Sequence, residues 1–449
     1  MVHVSPPQDR ASHPFEVTNR LVLSIALPMT LAYLTTPLLG IADTAIIGQY
    51  GDAALLGGLA AGAIVFDVVF TTFNFLRSGT TGLVAQAYGQ GNALEEQAVL
   101  WRALAIAFVA GLLMVAISPF IIAGGVYFMD ADPAVAAAMS AYVSIRIFAA
   151  PISLINYAIL GYVLGRGEGA LGLVLQIILN GANIALSVFL ALSLGWGIEG
   201  VAWGTVGGEA AGMLAGVVIL AWRFRQGPRV SLRRIFDSSQ IVRMVAMNGD
   251  IMIRSFSLLA AFALFTRQGA QFGTVILAAN AVLMNFFLVA GYFLDGTATA
   301  AEQLAGRAVG ARYRPAFLRS VRLTVVWGFG LAVAMSLFFL LAGGALIAFI
   351  TTAQDVRTAA SLFLPWAALI SISGVLAFQM DGVFIGATWS RDMRNMMLLS
   401  FALYLACLFL LTKSFGNHGL WAAFHILLIA RGISLLAIVP SRMRRTFAD

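Results

Sequence analysis

The run LVLSIALPMTLAYLTTPLLGIADTAIIG, from Leu21 to Gly48, decides how this chain is read. It has no Lys, Arg or His and a single carboxylate, Asp43. A helix crossing a bilayer needs roughly 20 predominantly apolar residues, and this run exceeds that. It recurs in kind: further apolar runs fall near 54–82, 98–124, 139–164, 170–194 and 198–222. After an Arg-rich gap they resume near 241–266, 274–300, 320–350, 358–388, 395–412 and 417–440. The expected fold is an all-α polytopic membrane protein of twelve transmembrane helices.

Composition points the same way. Of 449 residues, 60% are hydrophobic and 10% charged, with a mean hydropathy of +0.91. Soluble domains carry about 25% charged residues, so there are too few polar side chains to coat a water-soluble protein of this length. Cys407 is the single cysteine and cannot pair within the chain, which excludes a disulfide scaffold. The net charge of +7 does not indicate nucleic acid, because the basic residues fall in short gaps between apolar runs rather than on one face or arm. The polar start, Met1 to Glu16, lacks the order of a cleaved signal peptide, so the first span is expected to serve as an uncleaved insertion signal.

The loops set the orientation. With the amino terminus inside, the inner segments hold Arg10, Arg20, Arg102, Arg166, Arg223, Arg225, Arg229, Arg233, Arg234 and Arg243. They also hold Arg307, Arg312, Arg314, Arg319, Arg322, Arg391, Arg394, Arg442, Arg444 and Arg445. The outer loops hold Arg267, Arg357 and Lys413. A bias of twenty against three obeys the positive-inside rule through every loop. Both termini are therefore expected in the cytoplasm.

The halves resemble each other. Tyr50-Gly51 recurs as Phe272-Gly273, Gly161…Gly165 as Gly382…Gly386, and Gly197-Ile198-Glu199-Gly200 as Gly416-Asn417-His418-Gly419. Six such matches occur in order at offsets of 218–222 residues. Six helices separate equivalent positions, so the halves insert with the same orientation, a transporter plan with a cavity at the repeat interface. The chain is thus expected to form two pseudo-symmetric six-helix bundles around a central cleft. Residues 1–20 form a cytoplasmic segment, 21–222 the amino-terminal lobe and 223–240 an Arg-rich linker. Residues 241–440 form the carboxyl-terminal lobe and 441–449 a basic tail.

An ionisable residue within a span costs about 2.5–3.5 kcal/mol on insertion scales and faces a cavity or a partner. Asp43 follows Pro28 and Pro37 in the first span and has no Lys or Arg near it in sequence. Removed from water, such a carboxyl favours its protonated form, which suits it to proton uptake and release. The prolines leave backbone carbonyls unpaired and allow a bend. Asn180, Asn183 and Ser187 on the fifth span, with Thr205 on the sixth, offer amide and hydroxyl groups for a shell around a proton site; interhelical packing is the plainer alternative. Asp250 and Arg254, four apart on the seventh helix, are expected to pair. Asp295 and Glu302 share a face of the eighth, with Arg77, Arg146 and Arg431 as candidate partners, and these groups read as structural ion pairs or a gate. Asp67 has no assigned partner, and His425 reads as a packed neutral imidazole.

There is no phosphate-binding loop, no metal-spaced Cys/His cluster and no nucleophile elbow. No cofactor or metal is expected, and any work must come from an ion gradient.

Taken together and in order, several stretches are specific. They are Ala26-Leu27-Pro28 with Asp43, Phe75-Leu76-Arg77 leading to Thr80-Thr81-Gly82-Leu83-Val84-Ala85-Gln86, and Gly197-Ile198-Glu199-Gly200. Others are Asn248-Gly249-Asp250-Ile251-Met252-Ile253-Arg254, Leu294-Asp295-Gly296 through Glu302, and Asp381-Gly382-Val383-Phe384-Ile385-Gly386-Ala387 with Arg394-Asn395. Through them the chain resembles the multidrug and toxic compound extrusion (MATE) family, in its DinF-like branch, over essentially its whole length. The resemblance implies efflux of a small organic compound, lipophilic or cationic, in exchange for a proton or sodium ion. It implies Asp43 as the principal coupling carboxylate, Pro28 as the bend of the first helix, and Asn183, Ser187 and Thr205 as lining of the same site. It also implies a multi-pass protein of a bacterial-type inner (plasma) membrane, expected to act as a monomer and not as an enzyme.

Many relatives carry an Asp where this chain has Ser187. The missing second carboxylate favours proton over sodium coupling. The repeat register sets Phe265 opposite Asp43, so the carboxyl-terminal bundle has no twin of the site. The rival readings are a lipid-linked oligosaccharide flippase of the same superfamily, a membrane-embedded transferase and a channel. The first calls for a strongly cationic cavity, the second for paired acidic or His motifs at one interface, and the third for a ring of charges.

Overall fold

The computed structural model describes residues 14–130, 132–225 and 230–448. Arg10 and Arg229, counted above on the inner side, lie outside those residues, as do Pro6 and Pro7. Among the described residues every regular element is helical.

In the first half the helices are α1 (Asn19–Gly48), α2 (Ala53–Thr71), α3 (Phe75–Gly89), α4 (Ala93–Ala116), α5 (Ser118–Met129), α6 (Pro133–Phe148), α7 (Ala150–Gly165), α8 (Gly169–Ser187) and α9 (Gly197–Phe224). A π-helical stretch, Val188–Ser193, continues α8. Then come the short α10 (Leu232–Ile235), α11 (Ser238–Ala270), α12 (Thr274–Gly310), α13 (Arg314–Ile350), α14 (Gln354–Gly386) and α15 (Ser390–Thr446). Local chemistry marks the ends. Asp52 caps α2 by accepting from the Ala54 N–H at 2.8 Å. Prolines open α5, α6, α7 and α13, where a missing N–H costs nothing. Pro151 also explains the 53° break between α6 and α7, because its ring cannot coexist with a continuing helix.

Among the described residues ten helices are long and apolar enough to cross a bilayer, or eleven when the bent pair α6–α7 counts as one span. The 57 residues of α15 would run about 86 Å as a single helix, far beyond one bilayer. They do not: Gly416, at φ 56° and ψ −132°, interrupts it. Counting its two parts separately brings the total to the expected twelve.

The repeat is visible in contacts. Gly161 and Gly165 pack against the carbonyls of Arg77 and Thr81 so closely that a Cβ could not be accommodated. Gly382 and Gly386 make the same contacts with the carbonyls of Ala298 and Glu302, each position 221 residues on. Gly197 and Gly416, matched in sequence, hold φ of +55° and +56°. Only glycine adopts that backbone at little cost.

The chain divides into two compact units. The amino-terminal unit comprises Leu31–Val84 and Ala93–Asn248; the carboxyl-terminal unit takes in the described residues up to Thr30, Ala85–Asn92 and everything from Gly249. Three of their edges fall inside α1, α3 and α11, and the fourth in the turn between α3 and α4. The core of the carboxyl-terminal unit is aromatic, with Phe265 edge-on to Trp421 at 5.0 Å and tilted against Phe424 at 5.4 Å. Beside it Asn280 and Asn417 exchange amide hydrogen bonds of 2.7 and 2.9 Å. The amino-terminal unit has several smaller cores, one uniting Ile46 and Ile47 of α1 with Tyr142, Val143 and Ile147 of α6 and Val201 and Ala202 of α9.

Candidate coupling site

Helix α1 is held to α8 and α9 at two heights. The Asn180 amide donates to the Thr35 hydroxyl at 2.5 Å. Fifteen residues on, the Tyr50 hydroxyl donates to the Ala191 carbonyl and accepts from the Gly197 N–H at 3.1 Å. These two ties run in the same direction along both helices, so α1 and α8 are parallel. Asp43, eight residues beyond Thr35, is about 12 Å farther along the axis. That places it at about the height of Ser187, seven residues past Asn180 on α8. Its side chain faces inward, with the residue 8% exposed and Oδ1 lacking a hydrogen-bond partner among the described residues. Pro28, half-buried, lies within α1, which runs unbroken past it.

The polar shell is held by close packing of α8 on α9. Gly204 and Gly208 leave no room for a side chain against Ser187 and Asn183. Ser187 is fully buried and donates to Asn183 Oδ1 at 3.1 Å and toward the Val201 carbonyl at 3.4 Å. The Thr205 hydroxyl donates to that carbonyl at 3.2 Å. Asn183, Ser187 and Thr205 therefore form one linked group, and Asn180 joins it to α1.

Further charges lie near Asp43, one of them, Glu209, not singled out in the sequence. Arg146, on the last turn of α6, lies within electrostatic reach of Asp43, Asp67 and Glu209. Its guanidinium sits over the Phe66 ring at 3.5 Å and donates to the Tyr142 hydroxyl at 2.9 Å. Asp43 is thus remote from cations along the chain but not in space, and the same guanidinium is within electrostatic reach of Asp67. Glu209 on α9 was passed over altogether, although a glutamate mid-helix in an apolar run is itself a signal. Its carboxylate accepts from the Ser153 hydroxyl.

The carboxyl-terminal unit has a different arrangement of charges from the one expected. Arg254 Nη1 donates to Asp381 Oδ2 at 2.5 Å, and Arg431 donates to the same oxygen. Asp250 accepts from Arg394 at 2.6 Å and from the Ser390 hydroxyl at 2.8 Å. Each member of the expected Asp250–Arg254 pair therefore has a partner on another helix: Asp250 has Arg394 on α15, and Arg254 has Asp381 on α14, a carboxylate it shares with Arg431. Arg431 also lies within electrostatic reach of Asp295. Glu302 is buried on α12 at the contact with Gly386. Arg77 donates to Asn74 at 3.2 Å and Ser78 at 3.0 Å. His425 meets the Trp366 carbonyl at 3.0 Å through Nε2.

Comparison with known proteins bears on this geometry. The MatE family model matches residues 28–189 and again 251–410. Over 423 residues the chain is 36% identical to DNA damage-inducible protein F of Escherichia coli K12, covering 94% of this chain and 92% of that protein. It is 24% identical to Protein DETOXIFICATION 44, chloroplastic, of Arabidopsis thaliana, over 91% of this chain and 80% of that one. Among solved structures, a MOP superfamily transporter from Pyrococcus furiosus shares the fold with a TM-score of 0.85 at 16% identity, over 96% of this chain and 97% of that one.

Proposed function

Because this chain belongs to the MatE family, we propose that it is a secondary active efflux antiporter that exports lipophilic or cationic organic compounds in exchange for protons, with Asp43 as the coupling carboxylate. The observation that carries this reading is the inward-facing Asp43 with Oδ1 unpartnered, at about the height of Ser187, which is linked to Asn183 and Thr205. A carboxylate left without a hydrogen-bond donor in such surroundings gains by taking a proton. Protonation removes a buried charge and changes what α1 can bond to. Pro28 and Pro37 lower the cost of a bend in that helix.

Coupling then requires only that two conformations differ in proton affinity and in substrate affinity. If the protonated form favours a bent α1 and a smaller cavity, proton and substrate exclude one another. Ser187 supports the proton over sodium, because a neutral hydroxyl stands where a second carboxylate would help to neutralise a sodium ion.

The test is export from proteoliposomes under an imposed pH gradient or an imposed sodium gradient, each alone. Export driven by the pH gradient and lost in Asp43→Asn supports the reading. Export driven by sodium alone, or an Asp43→Asn protein that still responds fully to the pH gradient, overturns it.

A further inference from the structure

At the arginine-rich end of the amino-terminal unit the acids are used up before the arginines are. Arg166 pairs with Glu96 on α4 and with Glu168 at 3.0 Å, and Glu168 in turn pairs with Arg223 on α9 at 2.6 Å. Glu95 holds Arg102 at 2.7 Å and Arg234 at 3.0 Å. Asp237, the remaining acid at this end, accepts from the Ser239 N–H at 2.9 Å where α11 begins. Arg225 and Arg233 are exposed and have no hydrogen bond or ion pair among the described residues. Their counter-charge is therefore external.

The same network fixes where they stand. Arg102, 4% exposed, donates to the backbone carbonyls of Arg234 at 2.8 Å and Ile235 at 3.1 Å, which clamps α10 to α4. Held by that side, α10 turns Leu232 and Phe236, one turn apart, outward at 72% and 63% exposure. Trp101 adjoins the clamp on α4, and Trp222, 79% exposed, adjoins Arg223 at the end of α9. Exposed tryptophans at the ends of spans gather at the headgroup level of a bilayer. The ion pairs therefore hold α10 at that level, with its apolar side chains facing away from the protein.

We propose that α10 is a membrane-surface anchor: Leu232 and Phe236 enter the headgroup layer on the arginine-rich side of the bilayer, and Arg225 and Arg233 bind the phosphates of anionic lipid there. Apolar side chains beside cations suit the boundary between headgroups and acyl chains, where each kind finds its own medium. Anionic headgroups supply the charge that Glu95, Glu96 and Glu168 cannot, being already paired. The segment that joins the two halves is thereby fixed to the leaflet as well as to α4. This assignment does not depend on which ion drives transport.

The experiment places an apolar, environment-sensitive fluorophore on Phe236→Cys in the full chain carrying Cys407→Ala; Leu232→Cys serves where that protein fails to fold. The protein is reconstituted in phosphatidylcholine vesicles containing brominated phosphatidylglycerol or, at equal fraction, brominated phosphatidylcholine. Brominated phosphatidylglycerol is expected to quench the dye at the lower fraction. Its half-quenching fraction should rise about fivefold on Arg225→Gln or on Arg233→Gln, the factor for one arginine near an anionic surface. Equal quenching by the two lipids, indifferent to both substitutions, overturns headgroup binding. No quenching by either lipid overturns the anchor and leaves α10 in water or against another protein copy. An emission shift reproduced by inorganic phosphate in plain phosphatidylcholine vesicles assigns the arginines to a soluble anion and overturns the lipid as their ligand.

Discussion

Gly208 on α9 lies so close to Asn183 on α8 that a Cβ at position 208 would fall 2.6 Å from the Asn183 Cβ. The two helices approach at backbone distance there, while the turn of α8 itself brings the Asn183 amide to Ser187. Gly208→Ala is expected to lower the stability of the purified protein by about 1–3 kcal/mol through overpacking. Gly181→Ala, on α8 with nothing within 4 Å, is expected to be neutral or stabilising. Thermal unfolding of the two proteins side by side checks the contrast; equal melting temperatures would show that α8 and α9 are not packed this tightly.

Asp43→Asn is expected to reduce pH-gradient-driven export by at least about tenfold, within the usual range of coupling between two sites. Substrate binding measured without a gradient should lose its dependence on pH. Asn keeps the shape and removes the titration, so retained pH dependence would assign it to another group.

Asp381 accepts from both Arg254 and Arg431, and Arg431 is 4% exposed. Asp381→Asn leaves two guanidinium groups without their shared counter-charge. Breaking a buried pair from one side costs about 3–5 kcal/mol. Combining Asp381→Leu with Arg431→Met should recover part of that loss, because it removes the more deeply buried guanidinium together with the carboxylate and leaves only the more exposed Arg254 without that counter-charge. Chemical denaturation of the three proteins measures it, and a double variant no more stable than Asp381→Asn contradicts the account.

Tyr50 ties the end of α1 to the turn between α8 and α9 through a single hydroxyl. Tyr50→Phe removes that oxygen and keeps the ring. The expected cost is about 1–3 kcal/mol, the range for leaving buried backbone groups unpaired, with faster hydrogen exchange at Gly197. An unaltered exchange rate there would mean that the tie is dispensable.

The membrane class, the helices and the repeat were legible in the sequence because each rests on local properties. Apolar runs of sufficient length must span, and a glycine needed against a backbone recurs wherever the same contact recurs, as at Gly165 and Gly386. Gly416 shows the same legibility: the sequence separates 395–412 from 417–440, and the backbone reverses sign in φ between them. Asp43 also stood out, since a carboxylate among apolar residues is costly wherever the rest of the chain lies.

Partners were not legible. Spacing suggested that Asp250 would meet Arg254, because four residues make one helical turn. In the structure Arg394 reaches Asp250 and Asp381 reaches Arg254, across sequence separations of 144 and 127 residues. Nothing local in the chain connects Arg146 to Asp43 or Glu209 either.

The amino-acid sequence by itself determined that this protein lies in a bilayer, that its halves repeat, and which buried groups are expensive. Those are sums over single residues or short windows, so order along the chain suffices. Only the tertiary structure decided which charge answers which. Inside a low-dielectric interior a pair interaction falls off over a few ångströms, and helix packing, not position in the chain, sets those distances.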